Sequence, residues 1–313
     1  MQLYPMTTGS APGKIILFGE HAVVYGRPAI AVPVMQVEAT AVVEDAPPGH
    51  GCELIAPDVQ RKFRLANAPT DDPLAYNVRE TLRHLGVSEP DVTITIHSTI
   101  PVASGLGSGA AVSTAITRAL AAHLGHPLDD DSVSALVFEV ERLYHGTPSG
   151  IDNIVIARGQ PLFFVRDRLI ETFLVKEPLH LLIADTGVPS PTKTAVGDVR
   201  AGWEAQRDYY DSLFRQIGQI TVMARGAIAA GELHALGALM DGNQWLLYQV
   251  GVSSPENEGL VRAARQAGAL GAKLSGAGRG GNVIALAPKE MRDAVADALL
   301  RAGAKNVIAT VVN

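Results

Sequence analysis

The sequence has one cysteine, an excess of acidic over basic residues and no long uninterrupted apolar run. Cys52 alone cannot form an internal disulfide or a cluster of thiolate metal ligands, which is typical of a reducing compartment. The 26 Lys and Arg residues are outnumbered by 32 Asp and Glu, and the formal net charge is -6. A broad basic surface for nucleic acid is therefore not expected. Any anion that this chain binds must be held by a local site.

Apolar stretches in the sequence are too short to span a membrane. The most apolar stretch, residues 22–43, is interrupted by charged, polar and proline residues. A membrane-spanning helix needs roughly 18 or more consecutive apolar residues, and the first residues of the chain lack the basic and apolar regions of a signal peptide. We therefore expect a cytoplasmic protein.

The length and the pattern of the chain predict two domains. A chain of 313 residues with 47% hydrophobic composition is in the range where one core commonly gives way to two. Proline and charge interrupt two apolar segments at VKEPLH, so we place a boundary near Glu177, with domains at 1–177 and 178–313. The first half mixes helical and strand patterns. The second half has long helical patterns from Trp203 to Ala229 and from Leu233 to Val250, together with short strands, which indicates an α+β domain.

A strand, a glycine-rich loop and a helix follow one another in the first half. DVTITIHSTIP alternates apolar and polar residues as a half-buried strand does, and AAVSTAITRALAAHLG has helical spacing. Between them, Gly105, Gly107 and Gly109 permit close backbone approach, and Ser108 opens a helix whose N–H groups suit an anion. The loop lacks the lysine of the standard P-loop. By itself it is equally compatible with a tight turn.

Three further segments contain residue types that can do chemistry. APGKIILFGEHAVVYG contains Lys14, Glu20 and His21; HGTPSGIDN contains Asp152; AKLSGAGRGGNV contains a second glycine cluster. Each has an ordinary interpretation when taken alone: a solvated lysine, a turn-forming aspartate and a hairpin turn. After the second segment we predict short strands at NIVIA and PLFFV.

Together, these four segments resemble the GHMP kinase superfamily, and within it the branch whose acceptor is mevalonate. The likeness runs from about Ala11 to Ala287 and includes GNQWLLYQVGVSSPENEGLVRAARQAGALGAKLSGAG. It implies an α+β, two-domain GHMP kinase fold, with an N-terminal α/β domain that carries the glycine-rich phosphate loop and a C-terminal ferredoxin-like α+β domain. It also implies transfer of the γ-phosphoryl group of MgATP to the primary 5-hydroxyl of mevalonate, with ATP and mevalonate as partners. The sequence leaves the oligomeric state open, and a homodimer is one candidate assembly.

The resemblance also implies a role for individual residues. Asp152 faces the acceptor hydroxyl with Lys14 beside it, so that Asp152 accepts a proton or orients the hydroxyl while Lys14 stabilises negative charge. Glu141 and Ser108 are the candidate Mg²⁺ ligands. The candidate acceptor-binding residues are Glu20, His21 and Thr192. The candidate ATP-binding residues are Ala103, Ser104, Gly105, Leu106, Gly107, Ser108, Gly109 and Ala110.

Three positions depart from the family pattern. Gly109 stands where a second serine commonly offers a hydroxyl to Mg²⁺, Arg279 replaces a glycine, and Asn282 replaces a cysteine. Arg279 either adds a charge near the phosphates or faces solvent.

Two alternatives to this function remain open from the sequence. The first is a sibling GHMP kinase that acts on phosphomevalonate, a sugar or homoserine. The second is a nucleotide-binding regulator that has lost catalysis, since a fold alone does not guarantee chemistry. Retention of Lys14, Glu141 and Asp152 favours an enzyme.

Overall fold

A computed structural model describes residues 6–101, 105–145, 149–166, 168–190 and 192–313. The chain divides into two compact units, each built from more than one segment. The first consists of Met1–Gly13, Val37–Pro101 and Gly107–Gly159, and the second of Lys14–Gln36, Val102–Leu106 and Gln160–Asn313. The boundary near Glu177 falls inside the last of these segments, and the division into 1–177 and 178–313 stays a prediction.

Both strands and helices occur in the two halves of the described part of the chain. The strands are β1 (Met6–Phe18), β2 (Ala29–Asp45), β3 (Cys52–Ala56), β4 (Arg61–Arg64), β5 (Val92–Ser98), β6 (Leu162–Val165), β7 (Leu169–Thr172), β8 (Leu179–Asp185), β9 (Gly271–Ser275), β10 (Asn282–Leu286) and β11 (Asn306–Val312). The helices are α1 (Pro73–Leu85), α2 (Ser108–His123), α3 (Asp130–His145), α4 (Ile151–Arg158), α5 (Thr192–Ala205), α6 (Arg207–Ala230), α7 (Leu233–Val250), α8 (Pro255–Gln266) and α9 (Arg292–Arg301). Among the described residues, no helix combines the length and the apolarity needed to cross a bilayer.

The first unit combines a sheet with helices α1 to α4. Its strands follow the order β4, β3, β5 and β2, with β3 parallel to β5 and the other pairs antiparallel, and β1 also pairs with β2. The alternating apolar residues of β5 are buried as predicted. Helix α1 begins where Asp72 Oδ1 accepts a hydrogen bond of 3.1 Å from Ala75 N–H, and it ends at Gly86 in the left-handed conformation.

The strand predicted at NIVIA is wrong, because these residues belong to helix α4. A short apolar run does not distinguish a strand from a buried helical turn. Packing decides the matter: Ile151, Val155 and Ile156 are buried, and Asn153 Nδ2 donates to Ser134 O of α3 at 3.0 Å. Asp152 therefore lies in the first turn of a helix rather than in a loop.

The long helical pattern predicted over residues 203–229 belongs to two helices. Helix α5 ends at Ala205 and α6 begins at Arg207, with Gln206 between them outside helical geometry. The helix predicted from Leu233 to Val250 and the strand predicted at PLFFV are both present as α7 and β6.

The second unit contains an antiparallel four-stranded sheet in the order β11, β8, β10 and β9. Helices lie between β8 and β9 and between β10 and β11 along the chain, so the connectivity and the strand order are those of a ferredoxin-like domain. One face of the sheet packs against α8 and α9 through an apolar cluster that includes Leu182, Val283, Leu260 and Leu299. The predicted ferredoxin-like domain is thereby confirmed.

Helix α7 covers the open edge of this sheet. Two backbone N–H groups of the edge strand β9 donate to side chains of α7: Ala272 to Asp241 Oδ1 at 3.0 Å, and Leu274 to Gln244 Oε1 at 2.8 Å. The approach is close enough that a Cβ atom on Gly271 would lie 2.1 Å from the carbonyl oxygen of Gly237. The edge strand is thus satisfied by side chains and protected from pairing with another chain.

Candidate active site

The N-terminus of α2, in the first unit, has the geometry of an anion-binding site. Gly107 precedes the helix in the left-handed conformation, with φ of 77°, and Ala111 N–H donates to Gly107 O at 2.9 Å. The helical hydrogen bonds therefore start at Ala111, and the N–H groups of Ser108, Gly109 and Ala110 have no acceptor within the helix. Such groups, with the positive end of the helix dipole, favour phosphate. Of the other loop residues, Ala103 and Ser104 lie outside the described residues.

Glu141 lies next to this helix N-terminus. Its side chain is buried on α3, and a Cβ atom built on Gly109 would lie 3.4 Å from Glu141 Oε1. Gly109 has an ordinary helical backbone, so this position does not require glycine for conformational reasons. The structure thus places Glu141 beside Gly109, which directly follows Ser108 and is the position where the family hydroxyl is absent.

The donor set near α2 suits a magnesium ion that is held mainly by a nucleotide. Among the described residues, no three His, Cys, Asp or Glu side chains form a cluster that could hold a metal by themselves. Mg²⁺ usually keeps several waters and takes one or two carboxylates together with substrate phosphates. Glu141, with the Ser108 hydroxyl, fits that requirement. Asp152, in the first turn of α4, belongs to the same unit, and α4 packs against both α2 and α3.

In the second unit, the end of β1 lies against the ferredoxin-like sheet. Ser275 Oγ donates to the carbonyl oxygen of Ile16 at 2.9 Å, and Lys14 N–H donates to Leu106 O at 2.9 Å. Lys14 is 5% exposed. A solvated lysine, the ordinary interpretation of this position, is therefore wrong.

Glu20 forms a fully buried ion pair with Lys273, a residue that the sequence analysis missed. The two side chains are 1% and 0% exposed. Lys273 Nζ donates to Glu20 Oε1 and also to the carbonyl oxygen of Leu274, at 2.6 Å. Burial raises the pKa of Glu20 and lowers the pKa of Lys273, and their mutual attraction opposes both shifts. The only sequence signal is a lysine within the short segment AKLSG, directly before the second glycine cluster.

Burial keeps His21 a neutral imidazole, and one hydrogen bond orients its ring. Its Nε2 lies 3.0 Å from the carbonyl oxygen of Ala277, which can only accept, so Nε2 carries the proton. Burial, the largest cause, and the charge of Arg279 together lower the pKa of His21 to about 4, against the opposing effect of the hydrogen bond to Ala277. Near neutral pH, Nδ1 therefore carries a lone pair that can accept a hydrogen bond from a hydroxyl.

The second glycine cluster, residues 276–281, is fitted closely against its surroundings. A Cβ atom on Gly278 would lie 2.2 Å from Val252 O, and one on Gly280 would lie 2.5 Å from Val188 O. Arg279, between them, adopts a left-handed conformation with φ of 57°, and its guanidinium pairs with Asp198 of α5. The two interpretations of Arg279 from the sequence, a charge near the phosphates and a solvent-facing residue, do not predict this ion pair.

The same loop is tied to the segment that carries Thr192. Ser190 Oγ donates to Gly278 O, and Thr192 is the exposed first residue of α5. Asn282 is buried as the first residue of β10. In the second unit, therefore, Glu20 contacts β9 and His21 contacts the loop that follows it. Ser190, shortly before Thr192, contacts the same loop.

Comparison with known proteins agrees with the resemblance. The family model described as GHMP kinases N terminal domain matches residues 73–159, and the model described as GHMP kinases C terminal matches residues 224–305. A mevalonate kinase of Thermococcus sibiricus is 35% identical over 323 residues, covering 96% of this chain and 94% of that protein. A mevalonate kinase of Aeropyrum pernix is 36% identical over 287 residues, covering 88% of this chain and 87% of that protein.

Solved structures show the same fold. The L. major mevalonate kinase in complex with R-mevalonate has a TM-score of 0.86 and 31% identity, with 98% of this chain and 95% of that chain covered. A phosphomevalonate kinase of Streptococcus pneumoniae has a TM-score of 0.81 at 15% identity, with 96% and 99% covered. The second likeness concerns the fold alone, whereas the first extends to the sequence.

The low pKa of His21 predicts a loss of stability in acid that depends on this residue. Above pH 6.5 the imidazole is neutral in both the folded and unfolded states. As the pH falls from 6.5 towards 4, the unfolded state takes up a proton that the folded state excludes, so the free energy of unfolding decreases. The difference between 6.5 and about 4 corresponds to a free energy on the order of 3 kcal/mol.

The test is urea unfolding of the unmodified protein and of His21→Asn at pH 7 and pH 4.5. Asparagine tolerates the left-handed backbone of this position better than most residues and has no proton to gain in this range. The variant should lose less stability than the unmodified protein between the two pH values. An equal loss in both proteins would show that His21 is already protonated, or accessible to water, in the folded state.

Proposed function

The chain belongs to the GHMP kinase family, and from this premise we propose that it is a mevalonate kinase. It is an ATP-dependent kinase that acts on an alcohol, and its acceptor is the primary 5-hydroxyl of mevalonate. The observation that carries this proposal is the 35% identity to mevalonate kinases over 96% of the chain, together with the likeness to a mevalonate kinase that holds R-mevalonate. The transfer breaks the bond between the β,γ-bridging oxygen and the γ-phosphorus of ATP. It forms a bond from the acceptor oxygen to that phosphorus.

Four groups of this chain act on the phosphoryl donor and on the reacting hydroxyl. The N–H groups at the start of α2 bind phosphate oxygens, because they have no acceptor within the helix and lie at the positive end of its dipole. Glu141 and Ser108 hold the magnesium ion of MgATP, whose charge offsets that of the phosphates. Asp152 accepts the proton of the attacking hydroxyl, and Lys14 stabilises negative charge on the transferred group.

Atoms of the second unit that accept hydrogen bonds recognise the alcohol substrate. Glu20 Oε2 makes no hydrogen bond within the described residues, and His21 Nδ1 carries a lone pair. Both atoms suit hydroxyl groups. A phosphorylated acceptor would require cations for the phosphate that it already carries, but the guanidinium of Arg279, near His21, is paired with Asp198. This arrangement favours mevalonate over phosphomevalonate.

The substrate assignment is tested by an ADP-release assay with mevalonate, phosphomevalonate, galactose and homoserine. Mevalonate should give the highest kcat/KM. A preference for another acceptor would overturn the substrate and leave the kinase assignment intact. ADP release with none of the four would contradict the proposal as a whole.

Replacement of the proton acceptor should separate chemistry from binding. Asp152→Asn keeps the shape of the side chain but cannot accept the proton, so kcat should fall by roughly two to four orders of magnitude while ATP affinity is retained. Lys14→Met should have a similar effect on kcat. Thermal unfolding of each variant serves as the control for folding. Near-normal kcat in Asp152→Asn would show that the aspartate has no part in the proton transfer.

The magnesium site predicts different responses at Glu141 and Gly109. Glu141→Gln removes a carboxylate from beside a doubly charged ion, so the Mg²⁺ concentration needed for half-maximal rate should rise at least several-fold. Gly109→Ser restores the family hydroxyl close to Glu141 and should lower that concentration modestly, whereas Gly109→Ala should not.

The matched control for Glu141 is Glu139→Gln on the same helix, where the carboxylate is 42% exposed and paired with Arg142. Its Mg²⁺ titration curve should coincide with that of the unmodified enzyme. A Glu141→Gln curve that also coincides would remove Glu141 from the metal site.

The cytoplasmic location and the homodimer expected from the sequence are also part of the proposal. Sedimentation equilibrium of the purified chain measures the oligomeric state directly, since a monomer has a mass of 32.9 kDa.

A further inference from the structure

The charge of Lys273 is not needed to fill the space in which the side chain is buried. It sits at the centre of strand β9, opposite Ile284 of β10, on the face of the sheet that does not carry α8 and α9. The side chain is 0% exposed, and the ring of Phe18 lies 6.0 Å from Nζ. A leucine or methionine would fill the same volume without the cost of removing an ammonium group from water.

Lys273 contacts only one of the two carboxylate oxygens of Glu20. Its ammonium group donates to Glu20 Oε1 and to the carbonyl oxygen of Leu274, which fixes the position of Nζ from two sides. Glu20 Oε2 makes no hydrogen bond within the described residues although Glu20 is 3% exposed. A buried carboxylate oxygen without a donor is costly, and a bound hydroxyl would supply the missing donor.

We propose that Lys273 is a positioning residue for the acceptor: it holds Glu20 as a carboxylate with Oε1 occupied, so that Oε2 is presented to a hydroxyl group of the acceptor alcohol. This inference rests on the proposed function and extends it to a residue that does not itself touch the substrate. Mevalonate carries a carboxylate as well as hydroxyl groups. An ionised Glu20 repels that carboxylate, so the Lys273–Glu20 pair also determines which end of the acceptor lies beside it.

The charged groups near this carboxylate are few within the described residues. Lys273 and, more weakly, Lys14 act on Glu20, and Arg279 acts on the adjacent His21. Lys14 remains when Lys273 is replaced, but the direct hydrogen bond to Oε1 is lost. In Lys273→Met the buried Glu20 should therefore be largely protonated at neutral pH and should ionise only as the pH rises.

The first experiment compares steady-state kinetics of Lys273→Met and the unmodified enzyme from pH 6 to 9. The variant should show a KM for mevalonate raised about tenfold or more at pH 7, a KM for ATP within about twofold, and a mevalonate KM that falls as the pH rises. The unmodified enzyme should show a flat mevalonate KM over the same range. Lys289→Met, at an exposed lysine of the same unit, should behave as the unmodified enzyme.

A second variant keeps the inference testable if Lys273→Met does not fold. The double variant Glu20→Gln/Lys273→Met leaves no unpaired charge in the buried pair, so it should fold. Its mevalonate KM should equal that of Glu20→Gln alone and should not depend on pH, because Lys273 acts only through Glu20. A double variant with a clearly higher KM than Glu20→Gln would show that Lys273 acts on the acceptor directly, and would overturn the inference.

The proposed function and the role of Lys273 are contradicted by different results. An unmodified enzyme that does not phosphorylate mevalonate contradicts the proposed function. An unmodified enzyme that does so, with a Lys273→Met variant whose mevalonate KM is normal and independent of pH, contradicts only the role of Lys273. Loss of thermal stability in Lys273→Met with an unchanged mevalonate KM would likewise reduce the pair to a structural one.

Discussion

The contact between the end of β1 and strand β9 is the interaction on which the second unit depends. It joins residues from near the start of the chain to residues near its end, through the hydrogen bond from Ser275 to Ile16 and the ion pair of Lys273 with Glu20. The bond from His21 to Ala277 continues this contact into the glycine cluster. Because a buried ion pair tolerates neither the loss of one partner nor the entry of water, it specifies the register of the two segments as well as holding them. Glu20 and His21, two of the residues assigned to the acceptor, belong to this contact.

The chemistry of the proposed reaction is divided between groups of opposite character. The first unit offers hydrogen-bond donors at the start of α2, with Glu141 beside them, and these groups suit phosphates and their metal ion. The second unit offers hydrogen-bond acceptors, Glu20 Oε2 and the neutral His21, which suit hydroxyl groups. In the proposed reaction, the nucleotide and the acceptor alcohol would thus contact complementary sets of atoms. The acidic net charge of the chain is compatible with this reaction, because backbone N–H groups and a local metal site, rather than a broad basic surface, would bind the phosphates.

The places where sequence reasoning failed share one cause. NIVIA was assigned to a strand because its apolar residues satisfy either period, and only packing against α3 makes it helix α4. Nothing in the local sequence distinguishes Lys273 from a lysine that is exposed on a short strand. Arg279 was considered as a phosphate contact or a solvent-facing residue, but its partner Asp198 is 81 residues away in the chain. In each case, the deciding contact was one that a local pattern does not encode.

The sequence by itself determined the family, the two-domain α+β fold, the alternating strand β5, the helix opened by Ser108 and the helix α7. These features depend on local periodicity, on glycines at turns and on motifs that read continuously along the chain. Only the tertiary structure decided that Glu141 lies beside Gly109, that His21 is neutral and that Glu20 is paired with Lys273. Glu20 and Lys273 are 253 positions apart, and burial and charge pairing at that separation arise only when the chain has folded.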